Sequence, residues 1–333
     1  MKIVSLFIRF IYRFLYSEPN VLSGRASKKW AKDTIPFILQ YIKDKNIDTV
    51  ILSGPSFGIF YCARDIKDQG VKLVLDYRDP WVSWYEKPTL ASCAERNAVK
   101  CADLVITTTE PLTSALNKKY NTTKCHTIMN GYDKDLWFGI KCPVHDPLDL
   151  VISYIGNIVI RKRNGGFRNP DCFIRTAKTF VQSHPSVKIR FIGVKDDLNS
   201  ISSELKKYIE FQNKVSVAES LKLTAEANVL LMFHTAHDSS GKYIICGKAF
   251  DCIRSGNFVL SIGDKAYANK AFVEGNGIGI HCNNNSASIL DALERIYEKW
   301  KKGSLVNNIS NIDCFSRDYQ NTQLLHLLKE NAE

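Results

Sequence analysis

Residues 71–81, which read Val-Lys-Leu-Val-Leu-Asp-Tyr-Arg-Asp-Pro-Trp, decide the fold class of this chain. The branched, apolar run from Val71 to Leu75 predicts a strand buried in a parallel sheet. Two carboxylates and a guanidinium follow it, at Asp76, Arg78 and Asp79. Open α/β sheets bind ligands outside the carboxyl ends of their strands, so these groups are candidates for a site. The structural alternative is that Asp79 caps a helix and Arg78 pairs with a carboxylate inside the fold.

Further strands and helices alternate on both sides of this stretch. The first series has predicted strands at 49–53, 71–75, 104–108 and 127–129 and helices at 31–45, 57–67, 91–100 and 111–119. The second has strands at 150–154, 188–192, 229–233, 258–261 and 278–281 and helices at 171–182, 198–208, 220–225, 248–255 and 286–301. Such alternation indicates parallel sheets with right-handed crossovers. We therefore predict an α/β fold, with two Rossmann-like domains that face each other across a cleft.

A linker that carries prolines, residues 142–147, lies between the two series. It predicts an N-terminal domain over residues 1–143 and a C-terminal domain over residues 144–310. The apolar spacing within the last residues, 311–333, predicts an amphipathic helix. This helix either packs locally or crosses back to the first domain.

Composition and charge narrow the classes of function. The 333 residues carry a net charge of +11, which indicates an anionic partner, but no nucleic acid is expected because no DNA- or RNA-binding module is recognisable. The ten cysteines form no C-x-x-C pair, which favours buried thiols in a reducing compartment. No apolar run reaches the roughly 18 residues that span a bilayer, and no signal peptide is recognised. We expect a cytoplasmic protein.

The first sixteen residues, 1–16, predict an amphipathic helix. Lys2, Ser5, Arg9 and Arg13 fall on one stripe of it, and aromatic and aliphatic residues cover the rest. A basic stripe on an apolar helix suits an anionic membrane surface, here the cytoplasmic face of the inner membrane. The alternative is a core helix whose arginines reach solvent at its edge.

A glycine-bearing turn follows the first predicted strand. Its residues include Ser53, Gly54 and Ser56, and a helix is predicted directly after it. Backbone amides at such a turn would hold an anionic group or a sugar hydroxyl. An ordinary turn between a strand and a helix is the alternative.

Two more glycine-bearing segments stand in the second series. Gly156 and Asn157 form a turn after its first predicted strand, and a basic run that begins at Arg161 follows. That run would stabilise a diphosphate, or it is a solvated loop. The other segment begins with Gly247 and Lys248, which place an open helix N-terminus and a cation together, and a carboxylate one turn on could accept ribose hydroxyls. That carboxylate is Asp251.

Taken in order, these motifs resemble those of GT-B-fold retaining glycosyltransferases of the group called family 4, particularly its bacterial surface-polysaccharide (O-antigen or capsule) branch. The matching segments are D-x-R-D-x-W at 76–81, A-D-x-x-x-T-x-T-E at 102–110, N-G-Y-D at 130–133, Y-I-G-N at 154–157 and G-K-x-F-D-x-x-x-S-G at 247–256. The resemblance implies transfer of a sugar, with retention, from a nucleotide diphosphate sugar to a hydroxyl of a lipid-linked glycan acceptor.

The resemblance also assigns roles to residues. On the donor side, Arg161 and Lys248 would stabilise the departing diphosphate, Asp251 would hold the ribose, and Gly156 would let the backbone approach the donor. The other donor-side residues are Asn157 and Gly247. The family uses no dedicated metal, and no metal or other cofactor is expected here. The spelling D-x-D at 133–135 is interpreted as coincidence.

On the acceptor side, the resemblance places Arg78 and Asp79 near the sugar and the acceptor nucleophile. The remaining residues expected to line this part of the cleft are Ser53, Gly54, Ser56, Asp76, Trp81, Glu110 and Asn130.

Two departures from the family pattern keep alternatives open. Tyr243 stands where the family has the first of two paired acids, and one or two strand–helix units of the family pattern are not recognised before Ser17, so that we expect a short N-terminal domain. One alternative is a degenerate or truncated relative that acts as a binding or scaffold subunit. Another is a different nucleotide-sugar enzyme on the same fold, such as an epimerase or a phosphorylase.

Overall fold

The computed structural model describes residues 25–81, 90–141, 148–160, 168–235, 239–307 and 309–330. The chain forms two compact units. The first comprises Met1–Met129 and Leu324–Glu333, and the second comprises Asn130–Gln323. The expected helix at 1–16 and the linker at 142–147 lie outside the described residues.

The first unit is built around a parallel sheet. Its helices are α1 (Arg25–Asp44), α2 (Ala63–Lys67), α3 (Leu90–Cys101) and α4 (Glu110–Tyr120). Its strands are β1 (Thr49–Gly54), β2 (Lys72–Tyr77), β3 (Leu104–Thr107) and β4 (Cys125–Thr127). A 3₁₀ segment, Phe57–Cys62, leads into α2. The described strands lie in the order β1-β2-β3-β4, so each strand pairs with the next one along the chain.

An aromatic cluster fills the core of the first unit behind the carboxyl ends of β1 and β2. Trp81 stacks on Phe57 with ring centroids 5.4 Å apart, and Phe60 meets both rings edge-on. Tyr77, the last residue of β2, contacts Phe57 and Phe60. All four side chains are buried. This packing fixes the polar segment that runs from Asp76 to Asp79, because large buried residues stand on both sides of it.

The second unit has a larger parallel sheet. Its strands are β5 (Leu150–Ile158), β6 (Val187–Val194), β7 (Ile209–Gln212), β8 (Val229–Phe233), β9 (Phe258–Ile262) and β10 (Gly279–Cys282). Its helices are α5 (Asp171–Ser183), α6 (Ser203–Lys206), α7 (Val217–Glu226), α8 (Lys248–Ser255), α9 (Tyr267–Gly275) and α10 (Ser286–Lys301), and α11 (Arg317–Glu330) ends the described chain.

The strand order of the second sheet creates a place for a ligand. The order is β10-β9-β8-β5-β6-β7, in which the chain runs outward from β5 to one edge and then returns to build the other half from β8. This is the doubly wound Rossmann order, and such sheets bind ligands where the order reverses. The switch point lies at the carboxyl ends of β5 and β8, and β5 carries Gly156 and Asn157 there.

Most of the predicted elements are present, and the differences have simple causes. The sequence does not indicate strand β7, because an alternation over only four residues at an edge of the sheet is too short to stand out from a loop. Helix α9 was also missed. The strand expected at 127–129 is β4, which spans Cys125–Thr127. One further bond follows it, from the amide of Ile128 to the carbonyl of Thr107 at 2.9 Å.

The first unit ends earlier along the chain than the expected boundary after residue 143. Its last residue before the division is Met129, and the following segment pairs with the second unit. The amide of Tyr132 donates to the carbonyl of Phe315 at 3.0 Å, and the amide of Arg317 donates to the carbonyl of Tyr132 at 2.9 Å. The predicted boundary rested on the proline-bearing linker, whereas these bonds tie the chain to the second unit before that linker begins.

The last turns of α11 belong to the first unit. Leu324, Leu327 and Leu328 pack against its core cluster, which includes Val74 and Leu104. Among the described helices, none is both long enough and apolar enough to cross a membrane.

Candidate functional site

Polar side chains meet at the carboxyl ends of β1 and β2 in the first unit. The register pairs Ser53 with Asp76, and the Ser53 hydroxyl donates to Asp76 Oδ2 at 2.8 Å. Arg78 Nη1 lies 3.6 Å from Asp76 Oδ1. The sheet therefore brings three of the expected residues together, and the Arg78–carboxylate pair of the structural alternative is also present.

Asp79, which follows Arg78, has a shifted pKa. Burial raises its pKa above the ordinary value of 3.8, and the positive charge of Arg78 offsets part of that rise. A raised pKa suits a group that accepts and returns a proton, although burial in a structural role shifts a pKa in the same direction.

The other expected acceptor-side residues are spread over neighbouring elements. Gly54 closes β1, and the Ser56 hydroxyl donates to the Ser27 hydroxyl of α1 at 2.5 Å. Glu110 begins α4 and accepts hydrogen bonds from Ser114 and Thr127, at 2.8 and 2.9 Å. A separate case is Asn130, which belongs to the second unit.

Trp81 is placed differently from the expectation. We expected its ring to line the acceptor side, but the side chain is 0% exposed and belongs to the aromatic cluster with Phe57 and Phe60. A ring without accessible surface cannot contact an acceptor. The D-x-R-D-x-W spelling conceals this difference, because a tryptophan near a site and a tryptophan beneath it look alike in sequence.

The second unit has a cavity of about 190 Å³ at the switch point of its sheet. Gly156 and Asn157 of β5 and Lys248 of α8 line it, so the structure brings three expected donor-side residues together. The rest of the lining is Ile155, Ile192, Gly193, Lys214, Val215, Ser216, Val217 and Ser220.

Glycine is required at the centre of this cavity. Gly156 has φ +153°, and a Cβ there would lie 2.5 Å from Cε and 3.1 Å from Nζ of Lys248. A Cβ on Gly193, φ +96°, would overlap the carbonyl oxygen of Gly156. The bare backbone lets the lysine side chain pass directly over the strand end. Its ammonium forms no salt bridge with the described residues, so this charge is available to an anion.

Asp251 lies one turn into α8 and does not line the cavity. The indole Nε1 of Trp137 donates a hydrogen bond to its Oδ1 at 3.1 Å. Burial raises the pKa of Asp251 above the ordinary value of 3.8, and the Trp137 bond, Lys248 and Arg317 lower it in part. In contrast, Gly247 is exposed, and a Cβ added to it meets no atom within 4 Å.

Two further expectations concern Arg161 and the D-x-D spelling at 133–135. Arg161 lies outside the described residues. In the D-x-D spelling, Asp133 Oδ1 accepts the backbone amides of Asp135 and Leu136, and its Oδ2 pairs with Arg317 at 3.0 Å. Asp133 therefore holds a turn, which supports the interpretation as coincidence. Among the described residues, no cluster of three or more His, Cys, Asp or Glu side chains could hold a metal.

Sequence reasoning missed Lys214 and Ser216, which line the cavity after β7. A signal for Ser216 was present, because Ser216 and Glu219 have the spacing of a capping box. The Ser216 hydroxyl accepts the amide of Glu219 at 3.1 Å and caps α7. Once β7 is missed, however, nothing in the sequence indicates that this cap faces β5.

No family model and no curated protein sequence matches the chain. Solved structures do match. Sucrose-phosphate synthase from Thermosynechococcus elongatus has a TM-score of 0.61 at 13% identity, over 90% of this chain and 78% of that one. HepE from Anabaena, in complex with UDP, has a TM-score of 0.65 at 15% identity, over 89% and 82%.

A UDP-N-acetylglucosamine 2-epimerase candidate from Listeria monocytogenes has a TM-score of 0.62 at 12% identity, over 94% of this chain and 82% of that one. At such identities the likeness establishes the fold alone. Two parallel-sheet, Rossmann-like units with these neighbours define the GT-B fold, and the expected fold class is confirmed.

Proposed function

We propose that the protein is a glycosyltransferase that moves a sugar from a nucleotide diphosphate sugar to a hydroxyl of an acceptor. One observation carries the proposal: a glycine strand end, the ammonium of Lys248 and a small cavity coincide at the switch point of the second sheet, where Gly156 lies against the Lys248 side chain. Dinucleotides and nucleotides bind at such points. The chain also shares its fold with HepE, which was solved with UDP.

On the donor side, the proposal gives each expected residue a role. Lys248 and Arg161 stabilise the diphosphate as it leaves, because negative charge builds up on it in the transition state. Gly156 and Asn157 let the backbone approach the donor. Asp251 accepts hydrogen bonds from the ribose, and Gly247 leaves the N-terminus of α8 open. The nucleoside occupies the cavity after β7.

On the acceptor side, Asp79 and Arg78 act on the acceptor hydroxyl and the sugar. The raised pKa of Asp79 suits a group that takes up the hydroxyl proton, and Arg78 limits how far that pKa rises. The anomeric configuration is retained and no dedicated metal takes part. Ser53 and Asp76 orient Arg78 through their shared hydrogen bond and ion pair.

The acceptor in this proposal is a lipid-linked glycan of a bacterial surface polysaccharide, O-antigen or capsule. The basic, aromatic segment 1–16 holds the protein at the cytoplasmic face of the inner membrane. Helix α1 supports this, because Trp30, Phe37 and Tyr41 fall on one stripe and are 58, 75 and 60% exposed. Tryptophan and tyrosine are enriched at membrane interfaces.

Vesicle flotation tests the membrane contact. We expect binding to vesicles that contain about one third anionic lipid, and loss of binding when residues 1–16 are removed and Trp30→Ser is added. Equal binding to neutral vesicles, or unchanged binding by the variant, contradicts this part of the proposal.

Sugar transfer is tested with radiolabelled UDP-, GDP- and CDP-sugars and a bacterial lipid extract as the source of acceptor. We expect label in the lipid fraction with one donor, and at least about a tenfold loss in Asp251→Ala. Lys222→Ala, an exposed lysine outside the cavity, is the matched control and should retain activity. Full transfer by Asp251→Ala contradicts the donor-site assignment.

A second candidate function is a nucleotide-sugar epimerase, which the epimerase candidate among the matching structures favours. Incubation of each donor without acceptor separates the two, because an epimerase yields an isomeric sugar from the donor alone. Binding of a nucleotide without any turnover would instead indicate a degenerate binding subunit, in line with Tyr243 at the acid position.

A further inference from the structure

Trp137 has an unusual position beside the donor side of the second unit. The ring is buried, and its neighbour Phe138 is exposed. The guanidinium of Arg254, in α8, lies 5.6 Å from the centre of the indole. Backbone bonds between Tyr132 and the start of α11 hold the segment that carries Trp137. The indole is therefore fixed from several sides before any ligand arrives.

The one polar atom of this ring is directed to Asp251. Indole Nε1 is a donor only, and it meets Oδ1 of Asp251 at 3.1 Å. The second carboxylate oxygen, Oδ2, accepts no hydrogen bond among the described residues. The carboxylate is thus held by one oxygen, while the other stays available for a ligand hydroxyl.

We propose that Trp137 is a positioning residue, whose indole N–H orients the Asp251 carboxylate so that Oδ2 meets the ribose hydroxyls of a bound nucleotide. The inference rests on the proposed function, because it takes Asp251 as the ribose-binding group. Aspartate reaches less far than glutamate and has few rotamers, so a fixed donor on one oxygen determines where the other oxygen lies. Trp137 would then favour ribonucleotides over nucleotides without these hydroxyls.

The test is a double-mutant cycle in which one of the changes is made to the ligand. The wild type is first titrated calorimetrically with UDP, GDP, CDP and ADP, and the tightest binder is taken forward with its 2′,3′-dideoxy analogue. Both nucleotides are then measured with Trp137→Phe, Asp251→Asn and Trp300→Phe. Trp300 lies in α10 beside Tyr297, away from this segment, and controls for loss of an indole.

We expect Trp137→Phe to weaken the ribonucleotide about three- to tenfold, the net effect of one ordinary hydrogen bond. The same substitution should leave the dideoxy analogue unchanged, and Trp300→Phe should leave both unchanged. An equal loss for the two nucleotides would mean that Trp137 only supports the fold. Tighter ribonucleotide binding by Trp137→Phe would mean that the indole competes with the ribose for Asp251, and either result overturns the inference.

Failure of the proposed function gives a different result. If no nucleoside diphosphate binds the wild type, the donor site itself is wrong, and the role of Trp137 falls with it. If the ribonucleotide binds tightly but Asp251→Asn weakens both nucleotides equally, the donor site stands and the ribose assignment of Asp251 and Trp137 is wrong.

Discussion

The two units of the molecule use polar groups in opposite ways. At the switch point of the second sheet, Lys248 passes over Gly156 and forms no salt bridge among the described residues, although its charge acts on Asp251. At the corresponding strand ends of the first sheet, Asp76 accepts a hydrogen bond from Ser53 and forms an ion pair with Arg78. This difference supports the proposal that an anion binds to the second unit, while the polar groups of the first unit already pair with one another.

The largest expected effect separates packing from binding in the first unit. Trp81→Ala should lower the free energy of unfolding by about 3–5 kcal/mol, because it leaves a cavity in the aromatic cluster. The control Trp30→Ala removes an exposed ring and should change stability by at most about 0.5 kcal/mol. Both are measured by urea denaturation. Unchanged stability of Trp81→Ala would contradict the burial of this ring and would support its expected place on the acceptor side.

A pair of glycine substitutions tests the second unit. Gly156→Ala should reduce nucleoside diphosphate affinity at least about tenfold, since its Cβ displaces the Lys248 side chain and its backbone is strained. Gly247→Ala adds a Cβ that meets open space at φ −55°, and we expect it to bind normally. Calorimetric titration measures both. If the two variants bind alike, the close approach of backbone and lysine has no part in binding.

A lysine substitution sharpens the electrostatic side of the comparison. Lys248→Ala should weaken a nucleoside diphosphate about tenfold, the effect of a hydrogen bond to a charged group, but leave the nucleoside alone nearly unchanged. The difference should shrink as salt is raised, because the site is open to solvent. Lys222→Ala serves as control. An equal loss for nucleoside and diphosphate would place the lysine against the base.

The smallest effect concerns pH and two carboxyls of the first unit. Because burial raises the pKa of Asp79, its contribution to stability is present below the ordinary value of 3.8 and is lost as pH rises through the folded-state pKa. Asp79→Asn should therefore become more stable, relative to the wild type, as pH rises from about 3.5 to 7.

Asp103 provides the opposite sign. Burial tends to raise its pKa, but hydrogen bonds from Lys67 and the amide of Leu73 lower it overall, so its contribution is present at neutral pH and lost on acidification. Asp103→Asn should lose stability at pH 7, and the loss should shrink only as pH falls below 3.8 and through the lowered folded-state pKa. Denaturation midpoints across this range measure both variants, and the same sign for both would contradict the account.

The fold could be predicted well from the sequence because apolar runs alternate with helices, as the match of β8 and α8 to their predicted bounds illustrates. The candidate site could be predicted less well. The closeness of Gly156 and Lys248 depends on two distant segments and on backbone geometry that no spelling reveals. Trp81 lies in the core, whereas Trp137 lies beside the candidate site and donates to Asp251. Packing decides these two positions, and residue type alone does not encode it.

Hydrogen exchange tests the central claim most directly, because it locates a ligand by the amides that it protects. The wild type is compared with and without the nucleoside diphosphate that binds it best. The account predicts slower exchange in segments 155–157, 214–220 and 247–251 of the second unit and no change in 53–56 or 76–81 of the first. Protection confined to the first unit, or protection nowhere, would contradict the assignment of the donor site.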